Sequence, residues 1–244
     1  MNEDINHIQY QPIVNYQYEK MFSNITPNGA TMNAAQKLHM VELLDERIDL
    51  CSEGLQLFYS EIKRKEGGNS EFDNINCIVT SFFLFTIQTI ADCNVATKYY
   101  LLANTDYDRR YMRGKLRVIL NEGFKKLYGF NTDNKRKSEW SKLGSVMKYF
   151  SLEIQRQYDN LTSILEGQAT SSTWWKSERC LETHLEAIGL YESRLKPIEE
   201  SVEMIDTLKL IDALDAVNNF WGNVNGCILN FLLDKYHKGE LAKE

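Results

Sequence analysis

Apolar residues recur every three to four positions over several long stretches of this chain, and that spacing constrains the fold more than any other feature. One stripe runs through residues 38–62 and another through residues 140–165. Because residues three and four apart share one face of an α-helix, each stripe predicts an amphipathic helix. Only 3 Pro and 13 Gly occur among 244 residues, which leaves few turn signals for short strands. The sequence therefore predicts an all-α protein.

Breaks between the stripes set the expected helix ends in the first half. The first helix should end at Gly67 and Gly68, and the third at Gly129, because glycine commonly follows a helix C-terminus. Residues 73–103 are apolar on nearly every face, which is typical of a central helix packed on several sides. Residues 104–106 are capping residues and predict a break.

The second half is expected to continue in the same way. A loop over residues 131–137 should lead to Ser138 as the N-cap of a fourth long helix, and a surface loop is expected at residues 166–172. Further helical spacing follows to the C-terminal region. We expect one domain, residues 33–244, folded as an up-and-down bundle of five to seven helices and preceded by an irregular arm, residues 1–32.

Several cellular locations are disfavoured by the sequence. The first residues lack the basic start and apolar core of a secretory signal peptide. The most apolar stretch, residues 77–103, contains Asp92 and Lys98, and charged groups are costly in the hydrocarbon of a bilayer. We therefore expect this stretch to be a buried core helix, and the protein to be cytoplasmic and not bound to a membrane.

Cofactor and metal chemistry finds little support in the sequence. The five Cys are an odd count without a C-x-x-C pair, and the four His are scattered without an H-x-x-x-H pair. The glycine-rich loops that cradle phosphates and the nucleophile elbow of hydrolases do not occur in the sequence. We expect neither a metal site nor a cofactor.

Arg179 and His184 are the residues most suited to chemistry. Cleavage of RNA without a metal needs a base for the 2′-hydroxyl proton and a cation for the charge that builds on the phosphate. Histidine suits the first role and the arginine fork the second. Two residues five apart on a straight helix point about 140° apart. The pair should therefore lie at a helix start or be completed across an interface. This need, together with the apolar seam of residues 210–231, predicts a homodimer.

The spacing Arg179-x4-His184, preceded by paired tryptophans and followed by an acidic helical segment, resembles the R-x4-6-H region of the HEPN superfamily. The resemblance covers roughly residues 73–235. Many members of this superfamily are helical-bundle endoribonucleases of toxin–antitoxin or antiphage systems that need no metal. The resemblance implies catalytic roles for Arg179 and His184 in a symmetric dimer. Cys180 stands where the family commonly has a polar residue.

A basic stretch covers residues 109–148, with 12 basic and 3 acidic residues in a chain whose net charge is −6. Such a local excess attracts phosphates, so RNA is a possible ligand. Its first helix supplies the expected RNA contacts, which are Arg109, Arg110, Arg113 and Arg117.

The same residues also have a structural interpretation. Arg179 would then pair with a carboxylate such as Glu182 or Asp92, and His184 would be a packing residue. The segment 178–215 is acidic and would repel RNA unless its charges faced away. The alternative function is a catalytically silent helical module that binds a protein partner through its basic hairpin or through the apolar seam of residues 210–231.

Overall fold

The computed structural model describes residues 33–65 and 71–171, together with residue 226. This part is 91% helical and contains no strand, which confirms the predicted all-α class. The predicted arm at residues 1–32, and the helices predicted beyond Ser171, lie outside the described residues. Six α-helices and one 3₁₀ turn lie within them: α1 (Ala34–Lys65), α2 (Glu71–Leu102), α3 (Asp106–Leu127), α4 (Thr132–Lys137), α5 (Glu139–Val146), the 3₁₀ turn Met147–Tyr149, and α6 (Leu152–Ser171).

Helices α1 and α2 form an antiparallel hairpin. Near the start of α1, Asp45 accepts a hydrogen bond from Lys98 of α2 at 2.5 Å. Further along α1, Gly54 lies against Ile87, and a Cβ on this glycine would approach the Ile87 side chain to 3.1 Å. The small residue therefore allows the two helices to approach closely at the middle of the hairpin.

Helix α3 returns along α2 after a tight connection at residues 103–105. Thr105 is the N-cap, and its hydroxyl oxygen accepts the Asp108 backbone N–H at 3.1 Å, as the capping residues at this break predicted. Gly123 of α3 faces Thr89 of α2, and the Lys126 ammonium lies 5.2 Å from the centre of the Phe85 ring. Helix α2 therefore lies between α1 and α3.

The core is centred on α2, as its apolar pattern predicted. Phe82, Ile90 and Cys93 are almost completely buried, and the Trp140 ring of α5 lies 5.8 Å from that of Phe82. By length and composition alone, residues Asp73–Leu102 could also cross a membrane, the only such segment among the described residues. Half of its most apolar stretch is buried inside the protein.

The predicted long helix after Ser138 is wrong in its extent. Ser138 caps α5 as expected, because its hydroxyl oxygen accepts the Ser141 N–H at 3.1 Å. The helix then ends at Val146, and after the 3₁₀ turn Phe150 adopts an extended conformation before α6 begins. The apolar spacing stays in register across this short break, so periodicity alone did not reveal it.

Two predicted loops are helical instead. Residues 132–137 form α4, because the Asn131 side chain caps it by accepting the Asn134 N–H at 2.9 Å. Residues 166–171 continue α6, in which Leu165 and Ala169 are buried. Gly129 makes the turn between α3 and α4 with φ of +90°, a conformation that favours glycine.

Candidate functional site

Arg179 and His184, the expected catalytic pair, lie outside the described residues, as do the paired tryptophans before them. Their roles remain predictions from the sequence. The described part contains the other expected site, the four arginines of α3.

These four arginines share one side of α3. Successive helical residues are 100° apart, so Arg109, Arg110, Arg113 and Arg117 fall within an arc of about 100°. We call this set the arginine face. The sequence brings the four side chains together through steps of one and four residues along a single helix.

The arginine face points inward. The buried residues Leu116, Leu120 and Phe124 occupy the same side of α3, further along the helix. Arg113 is only 6% exposed, and the Nε atoms of Arg109, Arg110 and Arg117 are buried. Arg113 is therefore poorly placed to reach a phosphate in this arrangement, whereas Arg109, Arg110 and Arg117 are partly exposed.

A fifth arginine is buried at the same level of the bundle. Arg47 of α1 is 5% exposed, and the pairing of Asp45 with Lys98 places it level with residues 94–96 of α2. Because Gly123 of α3 faces Thr89 of α2, Arg117 of α3 lies at the same level. Asn94, which is fully buried, lies there as well. Arg47, Arg109, Arg113, Arg117 and Asn94 all take part in side-chain interactions, so none of them is free.

Three of the eight remaining basic residues of this stretch pair with acids of the same stretch. Pairs three residues apart join Lys125 to Glu122, Arg136 to Asp133 and Lys142 to Glu139, at 3.9, 2.5 and 2.8 Å. The first two pairs are exposed and stabilise a helix only slightly, but all three reduce the local positive potential. The excess of basic residues in the sequence therefore overstates the charge offered to a ligand.

Two lysines remain exposed beside exposed tyrosine rings. Lys115 Nζ lies 5.1 Å from the centre of the Tyr111 ring, and Lys148 Nζ lies 4.8 Å from that of Tyr149. Both tyrosines are close to half exposed. Neither lysine makes an ion pair within the described ranges. A cation beside an aromatic ring can contact a phosphate and a base together.

A cluster at the other end of the bundle fixes α6 to α3 and α4. One carboxylate oxygen of Glu166, Oε2, accepts hydrogen bonds from Lys135 Nζ and from the Tyr128 hydroxyl, both at 2.5 Å. Lys135, and then Tyr128, hold the pKa of Glu166 below its ordinary value. Burial, followed by the hydrogen bond to Glu166, raises the pKa of Tyr128. Sequence reasoning missed this cluster because it assigned Glu166 to a loop.

A cleft of about 280 Å³ opens where α2 turns into α3. Two exposed tyrosines, Tyr99 and Tyr111, form part of its wall, and Asp108 lies at its polar edge. The Asp108 carboxylate accepts the Thr105 hydroxyl at 2.7 Å. The sequence carried only a weak signal for this cleft, namely tyrosines placed on both sides of a helix break. Its lining residues are Tyr99, Leu102, Ala103, Asn104, Asp108, Tyr111 and Met112.

Asp92 does not occupy the buried position that the sequence predicted. It lies on the exposed side of α2, although partial desolvation raises the pKa of its carboxyl group. The prediction failed because the apolar composition of α2 hides one solvent-facing strip, in which Gln88 and Val95 are also exposed.

Neither a search for metal sites nor a comparison with known proteins assigns a further function to the described residues. Among the described residues, no group of three or more His, Cys, Asp and Glu side chains is arranged to hold a metal ion. No family model, curated protein or solved structure matches the chain. The resemblance to the HEPN superfamily therefore stays a prediction from the sequence.

Proposed function

We propose that this protein is a HEPN-like endoribonuclease that binds RNA and cleaves it without a metal. The observation that carries the proposal is the Arg179-x4-His184 spacing in a chain whose described residues are mostly helical. His184 would accept the 2′-hydroxyl proton, and Arg179 would stabilise the charge on the phosphate. Two copies of the chain would face each other so that their motifs share one cleft.

The exposed lysines support RNA binding better than the arginine face does. Lys115 with Tyr111, and Lys148 with Tyr149, combine a solvent-facing cation with an aromatic ring. Phosphate contacts by lysine weaken as salt rises, and base stacking on tyrosine tolerates different sequences. Binding of single-stranded RNA with little sequence preference is the expected behaviour.

Cleavage of total cellular RNA in the presence of EDTA tests the catalytic proposal. Wild-type protein should give fragments ending in a 2′,3′-cyclic phosphate, because the internal 2′-oxygen is the nucleophile. His184→Ala should slow cleavage by about 10² to 10⁴-fold. Arg179→Ala should do similar damage, and Arg179→Lys should rescue poorly because an ammonium lacks the planar fork.

The matched controls lie on exposed surfaces of the described helices. His39→Ala on α1 and Arg156→Ala on α6 change the same residue types away from the motif and should cleave at the wild-type rate. A wild-type protein that leaves RNA intact, with His184 and Arg179 variants that only melt earlier, would end the nuclease proposal.

A second candidate function is a protein-interaction module, which the cleft at the α2–α3 turn favours. Tyr99, Leu102 and Tyr111 are exposed around it, and tyrosines are common anchors at protein interfaces. Tyr111→Ser should then abolish co-purification of a defined partner with the tagged protein. Tyr59→Ser on α1, which removes a tyrosine that is more exposed than Tyr111, should not.

A further inference from the structure

The cleft at the α2–α3 turn has the size and lining of a site for one aromatic ring system. Its volume of about 280 Å³ lies just below the roughly 300–1,000 Å³ of sites that hold drug-sized ligands. Tyr99 contributes to its wall from α2 and Tyr111 from α3, and they are 53% and 44% exposed. Leu102, Ala103 and Met112 add apolar lining. A planar ring that stacks on a tyrosine suits such a cleft.

The polar edge of the cleft offers a carboxylate with unused acceptor capacity. The Thr105 hydroxyl donates to Oδ2 of Asp108 at 2.7 Å, the one hydrogen bond that this carboxylate accepts within the described ranges. Its other oxygen, Oδ1, and the side-chain amide of Asn104 have no hydrogen-bond partner there. An ionised carboxylate can only accept hydrogen bonds, so a ligand that contacts Asp108 must bring N–H or O–H donors.

The charge beside the cleft favours a ligand with phosphates over a basic one. The Lys115 ammonium is exposed and lies 5.1 Å from the centre of the Tyr111 ring, and that of Lys98 lies 5.9 Å from the centre of the Tyr99 ring. Both tyrosine rings therefore already have a cation beside them, which disfavours an arginine or lysine from a protein partner. A nucleic-acid phosphate would instead pair with Lys115.

Guanine is the base whose hydrogen-bonding edge matches these groups. Its N1–H and N2–H₂ donors lie side by side, so one carboxylate can accept from both, and its O6 can accept from the amide of Asn104. Adenine and cytosine place a ring-nitrogen acceptor where guanine has N1–H, and uracil has a carbonyl on each side of its single ring N–H. A carboxylate such as that of Asp108 therefore discriminates against these three bases.

We propose that the cleft binds one guanine of single-stranded RNA. The base packs against Tyr99 and Tyr111, Asp108 accepts from N1 and N2, and Lys115 contacts a neighbouring phosphate. The inference rests on the RNA binding of the proposed function but not on cleavage. Phosphate contacts and stacking tolerate any base, so the cleft adds a preference at one position of the bound strand.

Binding of labelled pentamers to the full-length protein tests the preference without any mutation. The strands carry 2′-O-methyl groups, so they lack the nucleophile for cleavage and report binding alone. In fluorescence anisotropy, UUGUU should bind about tenfold more tightly than UUAUU, UUCUU and UUUUU. A fifth strand with inosine in place of guanine lacks only the N2 amino group and should lose part of the preference.

Asp108→Asn should reduce the guanine preference to about twofold or less, because an amide cannot accept from both donors. Asp106→Asn is the matched control. It removes the same charge from the same turn of α3, and Asp106 does not line the cleft, so the preference should stay. Thermal melts report whether each variant is folded.

The outcomes separate this inference from the nuclease proposal. Equal binding of the five strands by the wild type overturns the guanine site and leaves cleavage standing, as does a preference that survives Asp108→Asn. A guanine preference in a protein that leaves unmodified RNA intact supports the site and ends the nuclease proposal. A wild type that binds none of the strands overturns the guanine site, and loss of a defined protein partner in Asp108→Asn would then assign the cleft to protein binding.

Discussion

The rings of Trp140 and Tyr158 stack almost in parallel, with centroids 4.5 Å apart and 6° between their planes. The indole N–H of Trp140 donates to the Thr162 hydroxyl at 2.9 Å, and the Tyr158 hydroxyl donates to the Trp140 carbonyl at 3.0 Å. One aromatic pair and two hydrogen bonds therefore join α6 to the start of α5. Such a pair contributes about 0.5–1.5 kcal/mol beyond the area it buries.

Gly144→Ala should destabilise the protein by about 1–3 kcal/mol, as overpacking does. A Cβ at Gly144 would overlap the Tyr158 hydroxyl, and the stack with Trp140 prevents that ring from moving aside. Urea unfolding measures the change. Gly167→Ala in α6 is the control, because its Cβ would meet open space. This variant should leave the free energy of unfolding unchanged or raise it by about 0.5–1 kcal/mol. Equal effects at the two glycines would contradict the packing described.

Alkaline conditions should weaken the same contact. Burial raises the pKa of Tyr158 to about 12, whereas a tyrosine in an unfolded chain titrates near 10. Above the lower value the unfolded state binds fewer protons, so the free energy of unfolding should fall as the pH rises from 10 to 12. Tyr158→Phe should show a shallower fall over this range. Urea unfolding at pH 9, 10 and 11 would measure it, and parallel curves would refute the assignment.

Acid should release the carboxylate cluster that holds α6. The hydrogen bonds from Lys135 and Tyr128 lower the pKa of Glu166, so the cluster stabilises the fold above the ordinary glutamate pKa and loses this effect as the pH falls through the depressed value. Glu166→Gln should lower the melting temperature at neutral pH, and the difference from wild type should shrink in acid. Asp159→Asn, exposed on the same helix, should leave the melting temperature unchanged.

Three described thiols should differ in their reaction with iodoacetamide. Cys77 is exposed and should be alkylated readily, whereas Cys51 and Cys93 are buried. Burial, and then the nearby Asp92, raise the pKa of Cys93 to about 12, so its reactive thiolate is scarce at neutral pH. Peptide mapping by mass spectrometry should find label at Cys77 first and at all three after denaturation. Early labelling of Cys93 in the native protein would contradict its position in the core.

The first three helices were predictable because their signals are local. Gly129 follows α3, Thr105 caps it, the apolar stripe of α1 is long and unbroken, and α2 is apolar on nearly every face. The break at Phe150 was not predictable, since the stripe continues in register on both sides of it. The extension of α6 past Glu166 depends on contacts with Lys135 and Tyr128, which are distant in sequence.

The direction of the arginine face could have been anticipated. Leu120 and Phe124 lie on the same helical side as Arg113 and Arg117, so apolar periodicity already pointed that side toward the core. Counting charges over residues 109–148 concealed this, because a total carries no information about direction. The roles of Arg179 and His184 belong to a different category, since they depend on residues that the structure does not describe.

The central position of α2 has a consequence for how the chain is made. The two helices that pack along most of its length flank it in sequence, so α1 is available when α2 leaves the ribosome but α3 is not. The side of α2 that faces Gly123 in the finished protein stays uncovered while about 25 further residues are added, which takes about 1–5 s at ordinary translation rates. During that interval α2 is an apolar nascent helix that chaperones and membrane-insertion machinery can engage. The rate at which ribosomes translate α3 therefore sets how long α2 stays accessible to chaperones and membrane-insertion machinery.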